Sequence, residues 1–83
     1  MNRKFCLMNE SATGPMGRGQ NGKKKVYEIT VIDNVLRCEW GMAEKPKRQS
    51  SVTTFRSSQS ALAAAYEKMN AKIGRGYELV YSV

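Results

Sequence analysis

The chain has no histidine, two cysteines and two prolines among its 83 residues. Without histidine it lacks the side chain that most often acts as general acid or base near neutral pH. Zinc sites built from histidine and clustered cysteine are also missing. Cys6 and Cys38 stand far apart, each among apolar neighbours, and form no C-x-x-C pair. That context suits reduced thiols packing as small hydrophobes in a cytoplasmic protein, with one disulfide as the alternative. Long apolar runs are absent too. The N-terminal stretch Phe5-Cys6-Leu7-Met8 is far shorter than a signal-peptide core, and nothing has the length of a membrane-spanning helix.

Acidic residues are few: seven Asp+Glu against fourteen Lys+Arg, for a formal net charge of +7. The carboxylates are scattered, and no serine or cysteine lies beside a plausible activating base. No catalytic constellation and no cofactor motif follow from these residues, so the chain reads as non-enzymatic. Its length allows a single domain over residues 1–83. A chain this short buries only about 60–65% of the surface exposed when unfolded, so function is expected on the surface.

What is present is basic charge, unevenly placed. Residues 1–25 hold six bases and one acid, whereas 26–44 hold one base and four acids. Residues 45–56 hold four bases and no acid, and 57–83 three bases and two acids. Two basic segments thus flank an acidic hairpin, a distribution that favours a polyanion partner.

The local patterns give a coarse fold. Residues Arg3 to Asn9 suit a short strand at a sheet edge. Residues 11–22 contain four of the seven glycines and, extended to about residue 24, read as a flexible loop. Within it, Gly17-Arg18-Gly19-Gln20-Asn21-Gly22 spells G-x-G-x-x-G, but Lys23-Lys24-Lys25 and a strand follow. A dinucleotide fingerprint needs a helix opening at that point, so the match is rejected. Val26–Ile32 alternates, with Tyr27, Ile29 and Val31 on one face; Asp33-Asn34 makes a two-residue turn. The return strand Val35–Trp40 places Leu36, Cys38 and Trp40 on one face, and Gly41 is expected to release it. A third strand spans 49–55 with Val52 and Phe55 as its apolar anchors. Ser57 caps a helix over 58–73 whose stripe is Leu62, Ala65, Tyr66, Met69 and Ile73, with Lys68, Lys72 and Arg75 on a solvated face. Gly74 and Gly76 end it before a last strand over 77–83. The compact solution is α+β: a two-layer domain with an antiparallel sheet of four or five strands and one long helix packed across it.

Strand Lys25-Val26-Tyr27-Glu28-Ile29, Trp40-Gly41, the basic loop, Phe55, the Ser-capped helix and Lys72-Ile73-Gly74-Arg75-Gly76-Tyr77 occur in an order that resembles the WGR domain. This module is found in poly(ADP-ribose) polymerases and in many bacterial proteins. The resemblance covers about residues 3–80 and implies an antiparallel sheet crossed by a helix. It also implies DNA binding near strand breaks, with the signature tryptophan packed on a sugar and nearby bases holding phosphates. Tryptophan and glycine of the signature correspond to Trp40 and Gly41, but Met42 stands where the family has arginine. A thioether cannot make the charge-assisted hydrogen bonds of a guanidinium, so the family's relay from DNA to neighbouring domains does not carry over.

The candidate contacts to nucleic acid, expected to be DNA bound largely without regard to sequence, are therefore Trp40, Lys45, Lys47, Arg48, Lys23, Lys24, Lys25 and Arg18. For Trp40 the competing reading is a core indole, and for the lysines a solvated loop. The alternative function is a protein-interaction adaptor that binds an acidic partner protein, with Met42 and Trp40 in an apolar contact patch.

Overall fold

Alternation gives a strand two unlike faces, and the structure sorts them onto two unlike sides of one sheet. The structure is a computed structural model that describes residues 2–9, 24–43 and 45–83. It contains β1 (Asn2–Asn9), β2 (Lys25–Ile32), β3 (Val35–Met42), β4 (Gln49–Thr54), α1 (Ser58–Ile73) and β5 (Glu78–Ser82). The sheet order is β4-β3-β2-β1-β5, with every neighbouring pair antiparallel. Helix α1 crosses one face of this sheet, which is the expected α+β architecture.

On the helix side lie Phe5 and Leu7 of β1, Tyr27, Ile29 and Val31 of β2, and Leu36 and Cys38 of β3. They close on Ala61 and Ala65, both fully buried. Two alanines at i, i+4 let the helix approach closely, so they set its rotation. The stripe runs through Ala61 and Ala65, with Leu62 and Met69 of the expected set packed beside them. Tyr66 and Ile73 consequently stand exposed at the flanks, although Tyr66 still meets the Phe5 ring at 5.3 Å. The helix N-terminus is as expected, with Ser57 Oγ accepting from the Ser60 amide at 3.1 Å. At the other end Gly74 caps the helix in a helical conformation, and Gly76 turns the chain at φ 104°, which favours glycine.

Several boundaries differ from the pattern reading. Strand β1 lies between β2 and β5, not at an edge. Its apolar residues alternate with Lys4 and Cys6, and both of its sides are hydrogen-bonded to neighbours. Strand β3 runs through Gly41 to Met42, because Val26 and Lys25 pair with those two residues. The β2–β3 turn uses a positive φ only at Asp33 (57°), while Asn34 Nδ2 donates to the Phe55 carbonyl at 2.8 Å and anchors the end of β4. Val52 is not an anchor. It sits on the face away from the helix, opposite Arg37, and is 61% exposed. The two cysteines point to opposite faces, Cys6 with Glu28 and Cys38 with Ile29, and both are free thiols. Among the described residues, no helix is long and apolar enough to cross a membrane.

Because Ala65 has no exposed surface, Ala65→Leu is expected to lower unfolding stability by about 1–3 kcal/mol through overpacking. Urea denaturation checks this. A variant as stable as the parent would mean that the helix does not rest on the sheet there.

Candidate nucleic-acid interface

The placement of Lys24 and Lys25 relative to Trp40 is fixed by register. In the β2–β3 pair Tyr27 faces Trp40 and Lys25 faces Met42. Lys25, Tyr27, Trp40 and Met42 therefore share the helix side of the sheet, at the end where β1 finishes with Asn9. The C-terminus of α1 reaches the same end, since Asn9 Nδ2 donates to the Arg75 carbonyl at 3.5 Å. Lys23 and Arg18 lie outside the described residues.

Trp40 is neither wholly core nor wholly free. It is half-buried, stacks on Tyr27 with ring centroids 5.6 Å apart, and donates from Nε1 to Gln49 Oε1 at 3.2 Å. The Gln49 bond fixes the indole edge toward β4, a strand that the helix does not cover and whose residues are all exposed. One side of the ring thus belongs to the core margin, and the ring borders an open polar strand.

The residue that pattern reading missed is Lys72. Its ammonium sits 4.5 Å from the centre of the Tyr27 ring and 5.8 Å from that of Tyr77, and Tyr77 meets Tyr27 edge-on at 6.1 Å. Helical spacing from Ala61, Ala65 and Met69 leads to position 72. This stripe ends in a cation over an aromatic face rather than in an apolar side chain. Burial lowers the Lys72 pKa, and the nearby charges of Arg75 and Lys68 lower it further. Tyr27 is pushed up to about 12, chiefly by burial and then by the Cys38 thiol; burial also raises Tyr77.

The second basic segment goes elsewhere. Arg48 lies against the opposite face of the sheet, where a Cβ on Gly41 would meet Arg48 Cγ and the Lys47 carbonyl oxygen at 3.3 Å each. Glycine at 41 therefore allows the loop to lie directly on β3, on the side away from the indole. From there the Arg48 guanidinium reaches Glu28 at 3.5 Å and Glu39 at 3.9 Å. These two carboxylates are directly opposed in the β2–β3 pair, an arrangement that is unfavourable unless cations intervene. Lys4 and Arg37 complete the neutralisation, Lys4 with Glu28 at 3.7 Å and Arg37 with Glu39. Lys45 and Lys47 are exposed, and Lys45 lines a groove on this same face. The structure therefore gathers Trp40 with Lys25 and Lys72 on one side. Arg48 and Lys45 lie on the other.

Among the described residues, no cysteine and carboxylate cluster could hold a metal ion. Compared with protein-family models, curated proteins and solved structures, the chain matches none.

Two expectations follow. In the folded protein the Tyr27 phenol should ionise near pH 12, against 10.0 when unfolded. Its pKa is raised on folding, so the stability it contributes is complete below pH 10 and is lost as pH rises through 12. Lys72 has the opposite sign: with its pKa lowered, stability is recovered as pH rises through that value toward 10.5. Ultraviolet phenolate absorbance, native against urea-unfolded, checks the tyrosine, and late ionisation should disappear on unfolding. Separately, Arg48→Ala should cost about 1 kcal/mol or less. The loss should shrink when Glu28→Gln is also present, as a double-mutant cycle by chemical denaturation would read. Equal losses in both backgrounds would contradict the bridging role.

Proposed function

We propose that this chain is a non-enzymatic nucleic-acid-binding module of the bacterial cytoplasm, related to WGR domains, that binds DNA largely without regard to sequence. The β2–β3 register carries the reading, because it puts Lys25 on the same side and at the same end of the sheet as the Trp40–Tyr27 stack. A half-buried aromatic flanked by lysines suits a sugar or an exposed base, with phosphates held on either side. Arg18 and Lys23, which lie in the chain between Asn9 and Lys24, are proposed as further phosphate contacts. Lys45 and Lys47 extend the basic surface around the end of β3, while Arg48 acts first as the clamp on Glu28 and Glu39.

The resemblance in residue order supports the same reading, and Met42 limits it. Opposite Lys25, a thioether offers apolar contact and no charge. The mechanism proposed is therefore binding alone, without a signal passed through that position.

A second reading, an adaptor for an acidic protein, draws on the β5 edge. There Leu79, Val80 and Tyr81 are exposed beside outward-facing backbone, a surface open to strand pairing. Co-purification with and without nuclease separates the two readings. A partner retained after nuclease treatment favours the adaptor.

Fluorescence anisotropy with duplex, nicked and single-stranded oligonucleotides should show binding whose log K falls with log salt at about −0.9 per phosphate neutralised on duplex. Lys25→Ala should reduce that slope by about one contact. Trp40→Ala should weaken binding about ten-fold, in line with stacking worth about 1–3 kcal/mol. No binding by micromolar protein at low salt would contradict the proposal.

A further inference from the structure

The face of the sheet opposite the helix carries a groove of about 650 Å³ between β3, β4 and the loop joining them. Its walls are Arg37, Glu39, Lys45, Pro46, Arg48 and Ser50. Three cations thus surround one carboxylate. Glu39 is already held from two sides, by Arg37 Nη2 and by Arg48 at 3.9 Å. Among the described residues, the Arg48 guanidinium pairs with Glu28 at 3.5 Å and Glu39 at 3.9 Å, both longer than a good hydrogen bond. Among the described residues, no carboxylate pairs with Lys45. Counted over the described residues that line it, the groove has an excess of two positive charges, and the Ser50 hydroxyl stands on its rim.

We propose that this groove binds a phosphate group carried on a larger molecule. Planar guanidinium forks at Arg37 and Arg48 match phosphate oxygens, and Lys45 adds a point charge at the loop side. The charge excess of two suits a dianion. The groove is also much larger than a phosphate, so space remains for the substituent. Its position is built into the fold. The loop rests on Gly41, with the Lys47 carbonyl 3.3 Å from where a Cβ would stand, and is tied down by Ala43 N–H to the Lys24 carbonyl at 2.8 Å and Lys45 N–H to the Met42 carbonyl at 3.1 Å. The site lies on the face opposite Trp40, so it does not depend on the proposed stacking contact. The same chemistry could come from a free phosphate ester or from the backbone of a nucleic acid.

The test is a titration of the isotope-labelled chain at constant ionic strength, first with inorganic phosphate, then with ribose 5-phosphate. The amides of Lys45, Arg48 and Ser50 and the Nε–H groups of Arg37 and Arg48 are followed by nuclear magnetic resonance. Saturable shifts confined to these groups are expected, with ribose 5-phosphate several-fold tighter than inorganic phosphate. Lys45→Glu should weaken both at least ten-fold; Arg37→Gln, which removes a different wall, should weaken both as well. Shifts equalled by chloride, or undiminished in both groove variants, would overturn the proposal. Oligonucleotide binding by Lys45→Glu then identifies the source. A loss matching that for phosphate assigns the groove to backbone phosphate, and unchanged binding assigns it to a free ester. Should oligonucleotides fail to bind the parent chain, the phosphate titration still decides the groove.

Discussion

The pairing of β2 with β3, Tyr27 opposite Trp40 and Glu28 opposite Glu39, decides what stands on each side of the sheet. A strand's side chains alternate, so one register assigns both faces together. On the helix side it brings the aromatic pair to the margin of the core and aligns Lys25 beyond it. On the other side it sets two carboxylates against each other, and that conflict is relieved only by drawing Arg48, Lys4 and Arg37 onto them. A slip of one residue would bury the charges and expose the aromatics.

Close approach through small residues then fixes what packs on each face. Ala61 and Ala65 bring the helix down onto β1, β2 and β3, and this rotation carries Lys72 over Tyr27 instead of letting it project into solvent. Gly41 does the same on the opposite face, where the backbone of residues 47–48 takes the place of a side chain. Trp-Gly is therefore two instructions for two sides of one strand. The indole faces the helix layer, and the glycine admits the basic loop behind it.

Much of this was legible from residue pattern. Alternation in Val26–Ile32 and Val35–Trp40, the Ser57 cap and the α+β layering all followed from periodicity and capping chemistry, which are local. What was not legible depends on distant partners. The order of β1 within the sheet cannot be read from Phe5-Cys6-Leu7-Met8, because an interior strand flanked by Glu28 and Tyr81 tolerates the same residues as an edge. Lys72 looked like a solvated lysine because nothing in its neighbours announces Tyr27, which lies 45 positions earlier. Lys45, Lys47 and Arg48 looked like companions of Trp40 because they follow it in the chain. Adjacency does not say that the loop crosses to the other side. The placement of Lys25 on the indole's side of the sheet, opposite Met42, was likewise unreadable, since it is a property of the register.

Trp40, proposed to meet a nucleic acid directly, is the chain's only tryptophan. Its emission therefore reports on one ring. During titration with a single-stranded oligonucleotide, Trp40 fluorescence is expected to be quenched in proportion to binding read by anisotropy, and quenching by added acrylamide should fall at saturation. Binding by anisotropy with unchanged Trp40 emission and unchanged access to acrylamide would contradict the claim.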